Sequence, residues 1–236
     1  MEKEEKKTKK RVRLLTMRNV YDKKISKFRF SGMWADYVSP EPEDHGIWLG
    51  YGAEKNGKTT FALMLANYLR QMARVLYLSA EEGISASIQD TCLQVGIPQE
   101  CSNMYMYEYM PIEDLWEKLR DRRSAKVVFI DNASYYKDEL MSREYGLLKL
   151  VRNFPEKLFV ILAHEEKGKP HNAAARQASK LAKVIFHVQG LAAIVGGRVG
   201  NNVGRKIPIV EDRARLYHGD VLNDEPFNSN NNEQEN

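Results

Sequence analysis

Residues 46–60 read GIWLGYGAEKNGKTT, an apolar run that ends in the complete G-x-x-x-x-G-K-[ST] pattern over Gly52, Ala53, Glu54, Lys55, Asn56, Gly57, Lys58 and Thr59. Thr60 and the stretch FALMLANYL follow, with apolar residues at helical spacing. Strand, glycine loop and helix in that order are the context in which this pattern cradles phosphates. Gly52 and Gly57 permit backbone angles and a close approach that a side chain would block, so successive N–H groups can turn inward around an anion. Lys58 supplies a point charge to the outer phosphates, and the Thr59 hydroxyl is placed to hold Mg²⁺. The helix adds its positive end beneath the anion. A nucleoside triphosphate is the ligand this predicts.

At 236 residues with a net charge of +4 the chain can build one sizeable core. A single domain is expected over 13–221, between a charge-rich leader, 1–12, and a polar, Asn-rich tail, 222–236, both expected to be disordered. The apolar runs are too short to cross a bilayer, and MEKEEKKTKKRVR is followed by polar sequence and not by an apolar signal core. A cytoplasmic location with no membrane partner is the corresponding expectation. Cys92 and Cys101, the only two cysteines, exclude a disulfide scaffold and a four-thiolate zinc site, and are expected to be buried or inert. The small positive excess permits contact with nucleic acid without demonstrating it.

Outward from the glycine loop, strand-like runs alternate with helix-like ones. Strands are expected at 47–51, 75–79, 104–107, 127–130, 158–163, 184–188 and 192–195, and helices at 59–72, 84–95, 111–120 and 141–153. Runs such as VVFI and LFVILA are apolar throughout, which marks strands covered on both faces. The pattern predicts an α/β fold with a mostly parallel sheet and helices on both faces. Ile207–Val210 and Ala214–Tyr217 read as short strands of a small antiparallel C-terminal extension.

Ligands of such sheets lie at the carboxyl ends of the strands. Three ends carry polar groups. In KVVFIDNAS, Asp131 can hold the metal beside the loop threonine, or it can cap the next turn. In RVLYLSAEEG, Glu81 or Glu82 can orient the water that attacks the γ-phosphate, or both can simply favour the start of the next helix. In KLFVILAHEEKG, His164 can hydrogen-bond a γ-phosphate, or stand as an ordinary polar residue.

With these segments in this order, the chain resembles the RecA-like P-loop ATPases over about residues 30–217, particularly the branch of RadA/Sms, DnaB-type helicases and RepA-type helicases. The resemblance rests on GAEKNGKTTFALMLANYL, VLYLSAEEGISASIQDTCLQVGI, KVVFIDNAS, LFVILAHEEKGKP, LAKVIFHVQG and AAIVGGRVGNNVGR. It implies ATP with Mg²⁺ as cofactor, Glu81 as the catalytic base with Glu82 a bystander, Asp131 and Thr59 at the metal, and His164 as γ-phosphate sensor. In GGRVG, Arg198, with Arg205 in reserve, matches the basic residue that reaches a neighbouring subunit's nucleotide, so a homo-oligomer, ring or filament, is implied; an ordinary hairpin arginine is the alternative.

Relatives grip single-stranded DNA with the loops after the Asp131 and His164 strands. Here the second reads EEKGKPHNAAARQASK and offers Lys167, Lys169, His171, Arg176 and Lys180 to backbone phosphates. Tyr135 and Tyr136 follow the first strand, where they can stack on bases or fill the core. The zinc module and protease-like domain of RadA/Sms and the helical collar of DnaB are not expected in these residues, and unwinding, pairing, loading and switching stay open. A nucleotide-dependent adaptor and, more remotely, a small-molecule kinase are the competing readings.

Overall fold

A computed structural model of the chain describes residues 14–219; the leader and tail expected at 1–12 and 222–236 lie outside that range. The apolar runs become β1 (Gly46–Gly52), β2 (Val75–Ser79), β3 (Met104–Tyr107), β4 (Val127–Asp131), β5 (Leu158–Glu166), β6 (Lys169–Pro170), β7 (Val184–Gln189), β8 (Ala192–Gly197) and β9 (Lys206–Pro208). They join in one sheet in the order β3-β2-β4-β5-β1-β7-β8-β9, with β6 paired to β5. Strands β3 to β7 in that order are parallel, and β8 and β9 add on antiparallel. The predicted architecture is therefore the observed one.

The helices are α1 (Met17–Tyr21), α2 (Met33–Tyr37), α3 (Lys58–Leu69), α4 (Ala86–Gln94), α5 (Ile112–Arg120), α6 (Lys137–Leu140), α7 (Leu147–Asn153), α8 (Ala173–Leu181) and α9 (Glu211–His218). Alternate residues of each central strand feed two cores. Trp48, Tyr77, Phe129, Val160 and Phe186 face α3 and the aromatic residues Phe28, Phe30 and Trp34 of the preceding segment. Leu49, Leu78, Ile130 and Ile161 face α5, α7 and α8. Because both faces are covered, burial favours an unbroken apolar run over alternation. Helix α5 shows how local sequence and packing agree: Ile112, Leu115, Trp116 and Leu119 recur at helical spacing and are buried, with Glu113 and Asp114 in the first turn and Lys118 and Arg120 in the last.

Three expectations fail locally. Ala214–Tyr217 is not a strand but part of α9, where an Arg215–Glu211 pair and acidic first-turn residues suit a helix and only Ala214 is buried. Four alternating residues are too few to fix a period. The helix expected at 141–153 starts only at Leu147, because residues 141–146 turn around Ser142, whose hydroxyl accepts from the Glu144 and Tyr145 N–H groups. The short helices α1, α2 and α6 were not anticipated; each is four or five residues long.

The register brings the polar strand ends together. Gly52 pairs with His164 and Ser79 with Asp131, so the phosphate loop, Glu81, Asp131 and His164 all emerge at one edge. Gly52 is required by close approach, since a Cβ there would lie 2.1 Å from the Val188 carbonyl oxygen. Gly52→Ala is expected to lower stability by about 3 kcal/mol or more. For a domain of this size that is a fall of roughly 6–12 °C in melting temperature. An unchanged melting curve would mean that β1 and β7 do not pack as described.

Candidate functional site

The loop between β1 and α3 closes on itself before any ligand enters. Lys55 and Gly57 have positive φ, 60° and 86°, which turn the chain back over its own amides. Asn56 Nδ2 donates to the Glu54 carbonyl at 3.2 Å, and Asn56 Oδ1 accepts from Gly190 N at 3.0 Å, which ties the loop to the β7–β8 turn. Gly57 is the N-cap of α3, and among the described residues no side chain caps that end. The first N–H groups of the helix are thus left for an external acceptor, and an anion is the acceptor the helix dipole favours.

Lys58 lies in the mouth of the loop, 8% exposed, with Nζ donating to the Ala53 carbonyl at 2.8 Å. Burial pushes its pKa down, and Glu81, Asp131, Glu54 and Glu165 act in the opposite sense. The cavity above it holds about 440 Å³ and is walled by Glu54, Lys55, Gly57, Lys58, Thr59 and Thr60, by Glu81, Glu82 and His164, and by Ser87, Thr91 and Leu191. Gly52, Ala53 and Asn56 shape the loop from behind.

Across the cavity Glu81, Asn132 and His164 form one cluster. Asn132 Nδ2 donates to Glu81 Oε2 and lies 2.9 Å from His164 Nε2, which is itself 3.1 Å from Glu81 Oε1. Asn132 Oδ1 accepts from Ser134 N at 2.8 Å, which fixes the amide with its nitrogen towards the carboxylate. The Asp131–Asn132 peptide is cis. His164 Nδ1 is buried and has no hydrogen-bond partner among the described residues. Asn132 was missed from the sequence; its only signal was its place after Asp131 in KVVFIDNAS.

Thr59 Oγ1 donates to Glu82 Oε1 at 3.2 Å. The acid expected to stand by is thus the one that touches the loop threonine, because the turn after β2 presents both glutamates to the cavity. Asp131 instead sits behind the wall, 3% exposed, and accepts from the Tyr77 hydroxyl at 2.6 Å. Burial raises its pKa to about 7; Glu81 and Glu82 act in the same sense, against the Tyr77 hydrogen bond and Lys58. Thr59, Glu82 and Asp131 are hard oxygen groups of the kind Mg²⁺ takes. No group of three metal-ligating side chains occurs among the described residues. An ion that arrives on phosphates needs only one or two protein oxygens, and the Thr59 hydroxyl and Glu82 carboxylate are oxygens of that kind.

The buried aspartate has a testable consequence in protein free of nucleotide and metal. Its folded pKa, about 7, exceeds the unfolded value near 3.8, so the folded chain retains a proton that the unfolded chain releases. Stability from this group is full below pH 4 and is lost as pH rises towards 7, by a few kcal/mol at most. Melting temperature against pH should show that loss, and Asp131→Asn should flatten it; equal slopes would refute the assignment.

Other expected site residues lie elsewhere. Gly197 pairs with Val184, and Val184 with Trp48, so exposed Arg198 stands at the end of the sheet away from the phosphate loop. Arg205 lies just before β9, its N–H donating to the Asn202 carbonyl at 3.2 Å. The segment EEKGKPHNAAARQASK is not a free loop. Lys167 and Gly168, φ 52° and 75°, make the turn of a β5–β6 hairpin, and α8 follows, capped by Asn172. The hairpin forms because two positive-φ residues suit a tight antiparallel turn, and α8 because Ala174, Ala175 and Ala178 pack against the sheet. Lys167, Lys169, His171, Arg176 and Lys180 remain exposed on these elements, with His171 Nδ1 3.0 Å from Glu166. Tyr136 is buried, its hydroxyl accepting from Met110 N at 3.1 Å, whereas Tyr135 is exposed. Cys92 and Cys101 are free and half-buried, and burial raises the pKa of Cys92. No helix among the described residues is long and apolar enough to cross a membrane.

No protein-family model matches the chain, and no curated protein matches it. Solved structures do. The flagellar accessory protein FlaH from Methanocaldococcus jannaschii superposes with a TM-score of 0.50 at 13% identity, over 70% of this chain and 80% of its own. The chain has the RecA-like P-loop ATPase fold. Looser likenesses join it to a KaiC-like protein from Pyrococcus horikoshii, at 10% identity and a TM-score of 0.49 over 74% of this chain and 88% of the other. An ATPase of the type III secretion system of pathogenic bacteria matches at 11% identity and 0.45 over 72% of this chain, which spans 62% of that protein. At such identities it is the fold that is shared, and the chemistry rests on this chain's own residues.

Proposed function

We propose that this RecA-like chain binds ATP with Mg²⁺ and hydrolyses it, coupling turnover to single-stranded DNA as a relative of the RadA/Sms, DnaB and RepA-type motors. The observation that carries the reading is the convergence of an uncapped helix start, Lys58, Thr59, Glu81 and His164 on one cavity. The amides of the loop and the Lys58 ammonium bind the phosphates. Thr59, with Glu82 against its hydroxyl and Asp131 buried behind, would hold Mg²⁺, which would supply charge neutralisation on the phosphate oxygens. Glu81 takes the proton of the attacking water, and Asn132 orients that carboxylate. His164, which touches the same cluster, registers whether the outer phosphate is present.

Arg198, exposed and remote from its own cavity, fits a role towards a neighbouring subunit's nucleotide, which supports an oligomer with shared sites. The basic residues on the β5–β6 hairpin and α8 support contact with a phosphate backbone. ATP turnover measured against protein concentration, with and without single-stranded DNA, tests both. A steep concentration dependence and stimulation by DNA are expected. Lys167→Ala with Lys169→Ala should reduce that stimulation and shallow its salt dependence. No hydrolysis under any of these conditions would remove the enzymatic reading, and a flat concentration dependence would remove Arg198.

A further inference from the structure

We infer that the end of the sheet opposite the phosphate loop carries a second ligand site, built for a phosphorylated nucleoside, in which Arg74, Lys118 and Arg123 surround a cavity of about 390 Å³ beside the ring of Tyr105. That volume is in the range of small-molecule sites. Arg74 immediately precedes β2, Tyr105 lies on the edge strand β3, and Lys118 and Arg123 come from the end of α5 and the turn after it. The other end of β2 carries Glu81, so the strand separates the two cavities by about 17 Å. One nucleotide in the phosphate loop does not occupy both.

The cations at this site outnumber its one carboxylate, Asp121, and unlike neighbouring lysines they form no ion pair among the described residues. Lys126 pairs with Asp44 at 3.0 Å and Lys27 with Glu41 at 3.2 Å. Among the described residues Arg74, Lys118 and Arg123 make no ion pair; Arg74 Nη1 donates to the Arg123 carbonyl, and Arg74 Nε is buried without a hydrogen-bond partner. The carboxylate in the wall, Asp121, accepts from the Arg123 backbone N–H at 2.8 Å. Three cations against one carboxylate leave the concave volume net positive, and their mutual repulsion focuses a field that a bound anion relieves. Guanidinium groups match phosphate in geometry as well as charge.

The ring argues for more than bare phosphate. Met104 and Met106 pack into the core on one face of β3, which turns Tyr105 to the other, where it remains 50% exposed. Leu76, Leu119 and Ala125, all buried, add apolar surface to the wall of the same cavity. A flat base can stack on such a tyrosine while its phosphate meets the cations.

The test uses the full chain and three probes: inorganic phosphate, adenosine 5′-monophosphate and a short fluorescently labelled oligo(dT). Lys118→Glu combined with Arg123→Glu alters two exposed side chains and should leave the melting temperature in place while weakening binding of the nucleotide probe about tenfold or more. Tyr105→Ala should weaken it about fivefold or more, from the worth of one stacked base, and Tyr105→Phe should retain it. Binding of a fluorescent ATP analogue to the phosphate loop should not change in these variants, which separates this site from the first. Loss for the monophosphate alone identifies a free nucleotide as ligand, and loss for the oligonucleotide as well identifies a unit of a strand; either supports the site. Equal binding by the charge-reversed variant, no binding of either nucleotide probe to wild type, or phosphate matching the monophosphate with Tyr105→Ala neutral would overturn it.

Discussion

Lys58→Ala is expected to weaken ATP binding about a hundredfold or more while the fold stays intact. The ammonium is held in the loop mouth by one acceptor, the Ala53 carbonyl at 2.8 Å, so two of its three donors remain for a ligand. Hydrogen bonds from a charged donor contribute about 1.5–3 kcal/mol each, and two of them correspond to between about one hundred and about twenty thousand in affinity. The same burial disfavours the charge in the empty protein. Since the folded pKa lies below 10.5, the unfolded chain binds this proton more tightly, and wild-type stability should rise with pH on approach to that value. The alanine variant, lacking the group, should lose that rise and melt no lower than wild type near neutral pH. Calorimetric titration with ATP and Mg²⁺, paired with melting curves, measures both. Unchanged ATP affinity in a folded variant would place the phosphates somewhere other than this loop.

The phosphate loop was legible because its chemistry is local. The motif residues, Gly52 to Thr59, are consecutive, and the apolar runs on either side read as strand and helix, although the Gly190 contact that ties the loop down is not local. The parallel sheet was legible for a related reason, since VVFI and LFVILA have no polar face to give to water. What lay hidden depends on contacts between segments far apart in sequence. Asn132 gains its place only when β4 and β5 bring it against Glu81 and His164. Glu82 reaches Thr59 across 23 positions, and Tyr77 reaches Asp131 across 54. The basic segment after β5 read as a loop because lysine, glycine and proline dominate its start. Two positive-φ residues and an Asn172 cap instead make it a hairpin and a helix. Alternation over Ala214–Tyr217 misled for the opposite reason, as the pattern was present but too short to outweigh the charge arrangement of α9.

Glu81→Gln is expected to hold nucleotide with near wild-type affinity and to lose turnover by a factor of about 10² to 10⁴, the usual contribution of a positioned general base. The amide is nearly isosteric, so the cavity keeps its shape, but it cannot accept a proton from water. The hydrogen-bond pattern sharpens the expectation. In wild type Asn132 Nδ2 donates to Glu81 Oε2, and the glutamine can still offer its carbonyl oxygen to that donor. Loss of rate would then report lost basicity and not a collapsed cluster. Asn132→Ala provides the complement: the carboxylate remains but loses the amide whose orientation Ser134 N fixes. Its turnover should fall by a smaller factor, about tenfold, with ATP affinity again retained, since it acts through the positions of Glu81 and His164 and not on the phosphates. If Asn132→Ala alone abolished turnover while Glu81→Gln left it unchanged, the base would have to be sought elsewhere. Glu82, already against Thr59, would be the carboxylate to replace next. Single-turnover measurements at saturating ATP and Mg²⁺ distinguish these outcomes, because they read the chemical step apart from binding and product release.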